Sequence, residues 1–109
     1  MNLALWRALF EPGTIALVGA SGEAGKNTAR PHQFLRRHGW RGRIVPINRH
    51  RSEIFGEPAW PDLDSVPGTI DHVFVMVPGE HAAAVLEACG RKRVPVMTLY
   101  SDGFAETGA

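Results

Sequence analysis

A chain of 109 residues has the length of one domain, enough to enclose a single hydrophobic core and too little for two. Apolar residues make up 44% of it and charged residues 21%, with a net charge of +1, a balance that disfavours both a disordered chain and a membrane-embedded one. Cys89 is the only cysteine, so neither an intrachain disulfide nor a thiolate zinc cluster can form, and a cytoplasmic setting is expected.

In chain order, Leu3, Leu5, Trp6, Leu9 and Phe10 have the spacing of a short amphipathic helix, stopped by Pro12 and Gly13. Arg7 interrupts the apolar residues and no small-residue cleavage site follows, which argues against a signal peptide. No apolar run approaches the ~20 residues that span a bilayer. Ile15-Ala16-Leu17-Val18 is a continuous apolar run ending at Gly19, the pattern of a strand buried on both faces. Asn27 or Thr28 can cap a following helix whose first turn takes Pro31, whose apolar side carries Phe34 and Leu35, and which Gly39 ends.

A second strand, Ile44-Val45-Pro46-Ile47, contains a proline that cannot donate to a ladder, which places it at a sheet edge. The segment from Arg49 to Thr69 is rich in Gly, Pro and Ser; a short helical turn near Ser52 to Phe55 is expected there amid irregular chain. Val73 to Val77 reads as a central strand, Glu80 to Cys89 as a helix and Val94 to Leu99 as a last strand. Strands alternating with helices predict an α/β fold: a Rossmann-like parallel sheet with flanking helices, in the order second, first, third, fourth strand.

Ligands of such sheets bind beyond the carboxyl ends of the strands, with the crevice expected between the first and third. After the first strand comes Gly19-Ala20-Ser21-Gly22-Glu23-Ala24-Gly25-Lys26, whose glycines are spaced three and three, a variant of the dinucleotide fingerprint. Glycines let the backbone turn sharply against a pyrophosphate, and free amides at the next helix start donate to it; Ser21 adds a hydroxyl and Lys26 a positive charge. After the second strand, Asn48 stands where an NAD domain places an acid to hold the ribose hydroxyls. Its neighbours Arg49, His50 and Arg51 favour a phosphorylated ribose, as in NADP or coenzyme A. They continue a basic stretch that includes Arg36, Arg37, His38, Arg41 and Arg43, residues that a plain solvated face explains equally well. Val77-Pro78-Gly79 and Ser101-Asp102-Gly103 follow the third and fourth strands and can line a channel for an extended ligand. His32, His38, His50, His72 and His81 have no metal-ligand spacing, so no metal is expected in this domain, and no Ser-His-acid set can be assembled. Cys89 keeps helical register with Val85 and Leu86 and reads as core.

Several short motifs in register resemble a known family. Phe10-Glu11-Pro12, Ile15-Ala16-Leu17-Val18-Gly19-Ala20-Ser21, Gly42-Arg43-Ile44-Val45-Pro46-Ile47-Asn48, Ile54-Phe55-Gly56, Ile70-Asp71, Val75-Met76-Val77-Pro78 and Gly103-Phe104-Ala105-Glu106-Thr107-Gly108 are similar to the opening of the ADP-forming acetate and acyl-CoA synthetases, relatives of the succinyl-CoA synthetase α subunit. The resemblance implies one coenzyme A-binding domain over residues 1–109, with Ser21, Gly22, Gly25 and Lys26 on the ligand's phosphates and Ser101 and Asp102 along the rest of it. It also implies that this family's acyl phosphate and phosphohistidine chemistry is supplied by a histidine-bearing domain and an ATP-grasp domain outside this segment. By the same resemblance the chain is cut short at Ala109, and alone it is expected to be non-catalytic. The chain departs from the family where Arg49-His50-Arg51 replaces a proline followed by a basic residue, and where Thr28 replaces a frequent glycine.

The candidate coenzyme A-binding residues are thus Gly19, Ser21, Gly22, Gly25, Lys26, Asn48, Arg49, Arg51, Pro78, Ser101 and Asp102. An NADP-binding oxidoreductase domain and a stand-alone sensor of coenzyme A or a nucleotide remain as alternatives; no nucleic-acid motif accompanies the arginines.

Overall fold

The structure, a computed structural model, describes residues 13–99. The expected helix over Leu3 to Phe10 and the candidates Ser101 and Asp102 lie outside them. Four parallel strands form one sheet: β1 (Thr14–Val18), β2 (Arg43–Ile47), β5 (His72–Val75) and β6 (Val96–Leu99), in the order β2-β1-β5-β6. That is the order and direction expected from the sequence, with Pro46 on an edge strand opposite Leu17. Parallel neighbours need crossover connections, and helices α1 (Arg30–Arg37) and α2 (Gly79–Arg91) supply two of them.

The strict two-residue period of β1 divides the core. Ala16 and Val18 join Val45, Ile47, Val73 and Val75 against Ala88 and Cys89 of α2, while Ile15 and Leu17 join Ile44 beneath Leu35 of α1. Burial on both faces is why this strand is a continuous apolar run. At the foot of the sheet one Asp71 carboxylate oxygen accepts from the backbone N–H groups of Gly13 and Thr14, both at 2.9 Å, fastening the start of β1 beside β5.

Helix α1 follows a 3-10 turn over Asn27–Ala29, and Pro31 sits in its first turn as expected. The caps differ from expectation: Lys26 and Ala29 hold the N-cap positions, and neither makes a side-chain capping bond. Gly39 ends the helix with φ +79, and the bonds from Trp40 N to Leu35 O (3.0 Å) and from Gly39 N to Arg36 O (3.1 Å) form a Schellman motif. Phe34 is 60% exposed, so the apolar side is carried by Leu35 and by His32, which is 1% exposed.

The segment after β2 also differs from expectation. The helical turn expected near Ser52 to Phe55 is a two-residue hairpin, β3 (Glu53–Ile54) paired antiparallel with β4 (Glu57–Pro58). Phe55 and Gly56 both have positive φ, +48 and +81, as a primed hairpin turn requires, and this conformation cannot continue a right-handed helix. Other boundaries shift slightly: the third strand ends at Val75 and the last one begins at Val96.

The hairpin is fastened to α1 through the partly buried carboxylate of Glu57. Glu57 bonds His32 Nε2 with one carboxylate oxygen and the Arg36 guanidinium with the other, while the Phe55 ring meets the His32 ring edge-on at 5.2 Å. A carboxylate only accepts, so the neutral imidazole carries its hydrogen on Nε2 and leaves Nδ1 buried without a partner. Burial therefore pushes the His32 pKa below its ordinary 6.5, the neighbouring Glu57 charge opposing this and Arg36 adding to it. Since the folded state binds the proton less readily than the unfolded one, this contribution to stability is complete above about pH 6.5 and is lost as pH falls toward the lowered value. Thermal melting between pH 8 and 5 should show the fold weakening on the acid side, and His32→Gln, which keeps a donor for Glu57 but does not titrate, should flatten that slope. An unchanged slope in the variant would remove His32 as its source.

Candidate functional site

A cavity of about 780 Å³ opens beyond the carboxyl ends of the strands, within the ~300–1,000 Å³ range of small-molecule sites. Val18, Gly19 and Ala20 at the end of β1 and Val77 after β5 line it, as the sheet topology predicts, and it extends across the end of β2 to Ile47, Asn48, Arg49 and His50. Its far wall has two parts. One is the loop from Pro61 to Asp64, and the other is the stripe His81, Ala84, Val85, Ala88 and Arg91 along α2. The cavity lining combines apolar walls with Arg49 and with two carboxylates, of which Asp64 is neutralised by Arg91 and Asp62 accepts from Ser65 N. This arrangement suits a flat heterocycle with phosphate directed toward Arg49.

The floor is set by Gly19. Its φ is +91, and a Cβ built there would lie 2.8 Å from the carbonyl oxygen of Met76. The chain leaving β1 thus passes so close to the end of β5 that only glycine fits, and Met76 N donates to Val18 O at 2.9 Å across the same gap. Gly25, at φ +99, has open space around it, so backbone conformation alone calls for glycine there. Between them, Ser21 Oγ accepts from Glu23 N at 3.0 Å and Lys26 Nζ lies 3.3 Å from the Glu23 carboxylate, both on the exposed rim of the turn.

Asn48 joins this turn to the basic segment. Its Nδ2 donates to Ala20 O at 2.9 Å, while its Oδ1 accepts from His50 N at 2.8 Å and Arg51 N at 3.1 Å. The amide bonds backbone groups of both loops, which makes Asn48 the organiser of this corner. Arg49 then lines the cavity, whereas Arg51 folds back over Gly22, its Nη1 lying 2.7 Å from where a Gly22 Cβ would be. Pro78 is the exposed N-cap residue of α2, at the neighbouring end of the crevice.

The far wall is what sequence reasoning missed. Arg91 holds Asp64 through Nε–Oδ1 (3.2 Å) and Nη2–Oδ2 (2.8 Å), which keeps that carboxyl below its usual range. Lys92 Nζ donates to Val66 O at 2.9 Å, and Leu63, Val66 and Ile70 plug the loop into the core. Two signals were available: the apolar spacing of Leu63, Val66 and Ile70 within an otherwise polar stretch, and the small residues Ala84 and Ala88 one helical turn apart. The Cys89 thiol is buried and its pKa raised by that burial, so it is an inert core group. Among the described residues no group of three His, Cys, Asp or Glu side chains could hold a metal ion, and no helix is long and apolar enough to cross a membrane.

Gly19 combines a left-handed backbone with a collision against main chain, whereas Gly25 has the backbone constraint alone. Gly19→Ala should lower unfolding stability by about 3 kcal/mol, combining left-handed strain with a backbone collision, while Gly25→Ala should cost about 1–2 kcal/mol. Urea denaturation of the two variants checks the order; equal losses would mean that the turn relaxes away from Met76.

Comparison with known proteins agrees with this geometry. Residues 13–108 match the family described as the CoA binding domain. The α subunit of acetate–CoA ligase [ADP-forming] I from Pyrococcus furiosus is 33% identical over 105 residues, covering 93% of this chain and 23% of the relative. Acetate–CoA ligase [ADP-forming] of Methanocaldococcus jannaschii is 34% identical over 97 residues, covering 89% of this chain and 14% of the relative. Among solved structures, the dinucleotide forming acetyl-coenzyme A synthetase 1 of Ca. Korarchaeum cryptofilum, in complex with phosphate and ADP, superimposes with a TM-score of 0.76 at 32% identity, over 81% of this chain and 19% of that one. The chain thus spans less than a quarter of the length of these relatives. With a Rossmann-like sheet, a glycine turn and a family match over nearly its whole length, the chain belongs to the CoA-binding domain family.

Proposed function

We propose that this chain binds coenzyme A for an NDP-forming acid–CoA ligase, with the nucleotide end of the ligand in the cavity and its pyrophosphate on the turn from Gly19 to Lys26. The observation that carries the reading is the cavity itself, whose apolar interior meets Arg49 and His50 at the end of β2. The adenosine of coenzyme A carries an additional ribose phosphate, and Asn48 in place of an acid removes the repulsion such a phosphate would meet. Ser21, Gly22, Gly25 and Lys26 serve the pyrophosphate, and Ser101 and Asp102 serve the pantetheine arm. Pro78 borders the same arm at the start of α2.

Binding is this segment's part of the reaction. Activation of the acid and phosphoryl transfer belong, on this reading, to a histidine-bearing domain and an ATP-grasp domain of the enzyme. Support comes from the relatives, which carry the ligase name and are four to seven times as long as the matched segment, as their covered shares of 23% and 14% imply.

Titration calorimetry of the purified chain should give tighter binding of coenzyme A than of dephospho-coenzyme A, by about tenfold for one charge-assisted contact in a partly shielded site. Equal affinity for the two would reduce Arg49 to Arg51 to a solvated basic face, and tighter binding of NADP would replace this reading by an oxidoreductase domain. In a separate assay, the 109-residue chain supplied with acid, ATP and coenzyme A should form no acyl-CoA. Product formation would place the catalytic groups within this segment.

A further inference from the structure

The geometry points to a division of labour between the two arginines of the basic segment: Arg51 is the counter-charge of the glycine turn and holds pyrophosphate, whereas Arg49 alone reads the additional ribose phosphate. The inference rests on the coenzyme A reading above and assigns each arginine to a different phosphate of that ligand.

Asn48 separates the two side chains. By accepting from both His50 N and Arg51 N, its Oδ1 bends the chain back on itself directly after β2. Arg49, ahead of the bend, contributes to the cavity wall. Arg51, at the close of the bend, lies over the turn after β1. Its Nη1, Cζ and Cδ stand 2.7, 3.1 and 3.5 Å from the position of a Gly22 Cβ, so the guanidinium and the end of its stem rest on the Gly22 backbone. Arg51 is absent from the cavity lining.

A guanidinium lying on a glycine turn has a consequence for the ligand. An anion bound by the turn's amides is met by the Arg51 fork from the other side, and the fork matches two phosphate oxygens at once. Every ligand with a pyrophosphate gains this contact, whether or not its ribose is phosphorylated. Arg51 has no carboxylate partner among the described ion pairs, so it is available to a phosphate without first breaking a salt bridge. Gly22 is part of the same device. Its φ lies outside the left-handed region, so alanine is compatible with its backbone, yet the added methyl occupies the place of the guanidinium and turns it away.

The test is calorimetry with coenzyme A and dephospho-coenzyme A on four variants of the chain, with circular dichroism as the check on folding. Arg51→Ala should weaken both ligands by about tenfold and preserve their affinity ratio. Arg49→Ala should bring the ratio close to one. Gly22→Ala should act as Arg51→Ala does, and the double variant Gly22→Ala/Arg51→Ala should be no weaker than Arg51→Ala alone, since both changes remove one contact. A ratio that collapses in Arg51→Ala would overturn the assignment, as would additive losses in the double variant. Wild-type chain that binds neither ligand would instead overturn the coenzyme A reading itself.

Discussion

One side-chain amide holds together the two loops that make the site. Asn48 donates to the carbonyl of Ala20 and accepts from two backbone N–H groups of its own loop, so the end of β2 and the turn after β1 form a single surface. An aspartate could accept from the same two N–H groups, but it has no hydrogen for Ala20 and would set a negative charge beside that carbonyl. The residue that best organises this corner is therefore also one that leaves it without an acid. The basic residues on either side of the bend inherit their directions from it.

The hairpin β3–β4 carries that arrangement into the body of the fold. It begins immediately beyond Arg51, and Ala59 N returns to Ser52 O at 2.9 Å, closing the base of the hairpin against the loop. Ile54 is buried in the core on the α1 side of the sheet, and Glu57 reaches His32 and Arg36. Helix α1 is thereby anchored at both ends of one path: its start continues from the glycine turn, and its middle is held by the hairpin that follows the basic segment. Phe55 adopts positive φ, a conformation that bulky residues avoid, and its ring contact with His32 offsets part of that cost.

The sheet was legible in the sequence because its signals are local. Continuous apolar runs such as Ile15 to Val18 and Val73 to Val75 mark strands buried on both faces, and Pro46 marks an edge. The hairpin was hidden because Phe-Gly is a poor advertisement for a primed turn, and the residues that make it worthwhile, His32 and Arg36, are more than twenty positions away. Phe34 misled for a related reason: in a short helix, position relative to the sheet decides burial, and hydrophobicity alone put Phe34 inward beside Leu35, although of the two only Leu35 packs on the core. For the site, chain order led to Gly19, Asn48 and Arg49, which line the cavity, whereas Ser21, Gly22, Gly25, Lys26, Arg51 and Pro78 stand outside its lining. The far wall was harder to place: Leu63, Val66 and Ile70 mark its loop as packed, but that it meets α2, with Arg91 paired to Asp64, is a contact between distant residues.

The two outer strands of the sheet present very different edges. On β2, Pro46 lacks an N–H, its carbonyl accepts from Trp60 N at 3.0 Å, and Asn48 N donates to Trp60 O at 2.9 Å. The carboxyl end of that border is closed, because Trp60 already takes the Pro46 carbonyl and the Asn48 N–H. Among the described residues β6 is paired only with β5, and Met97 and Leu99 on it are 43% and 56% exposed. Among the described residues the two edges therefore offer a further strand different things: β6 presents an unmatched ladder, whereas the carboxyl end of β2, beside the cavity, is already occupied by Trp60.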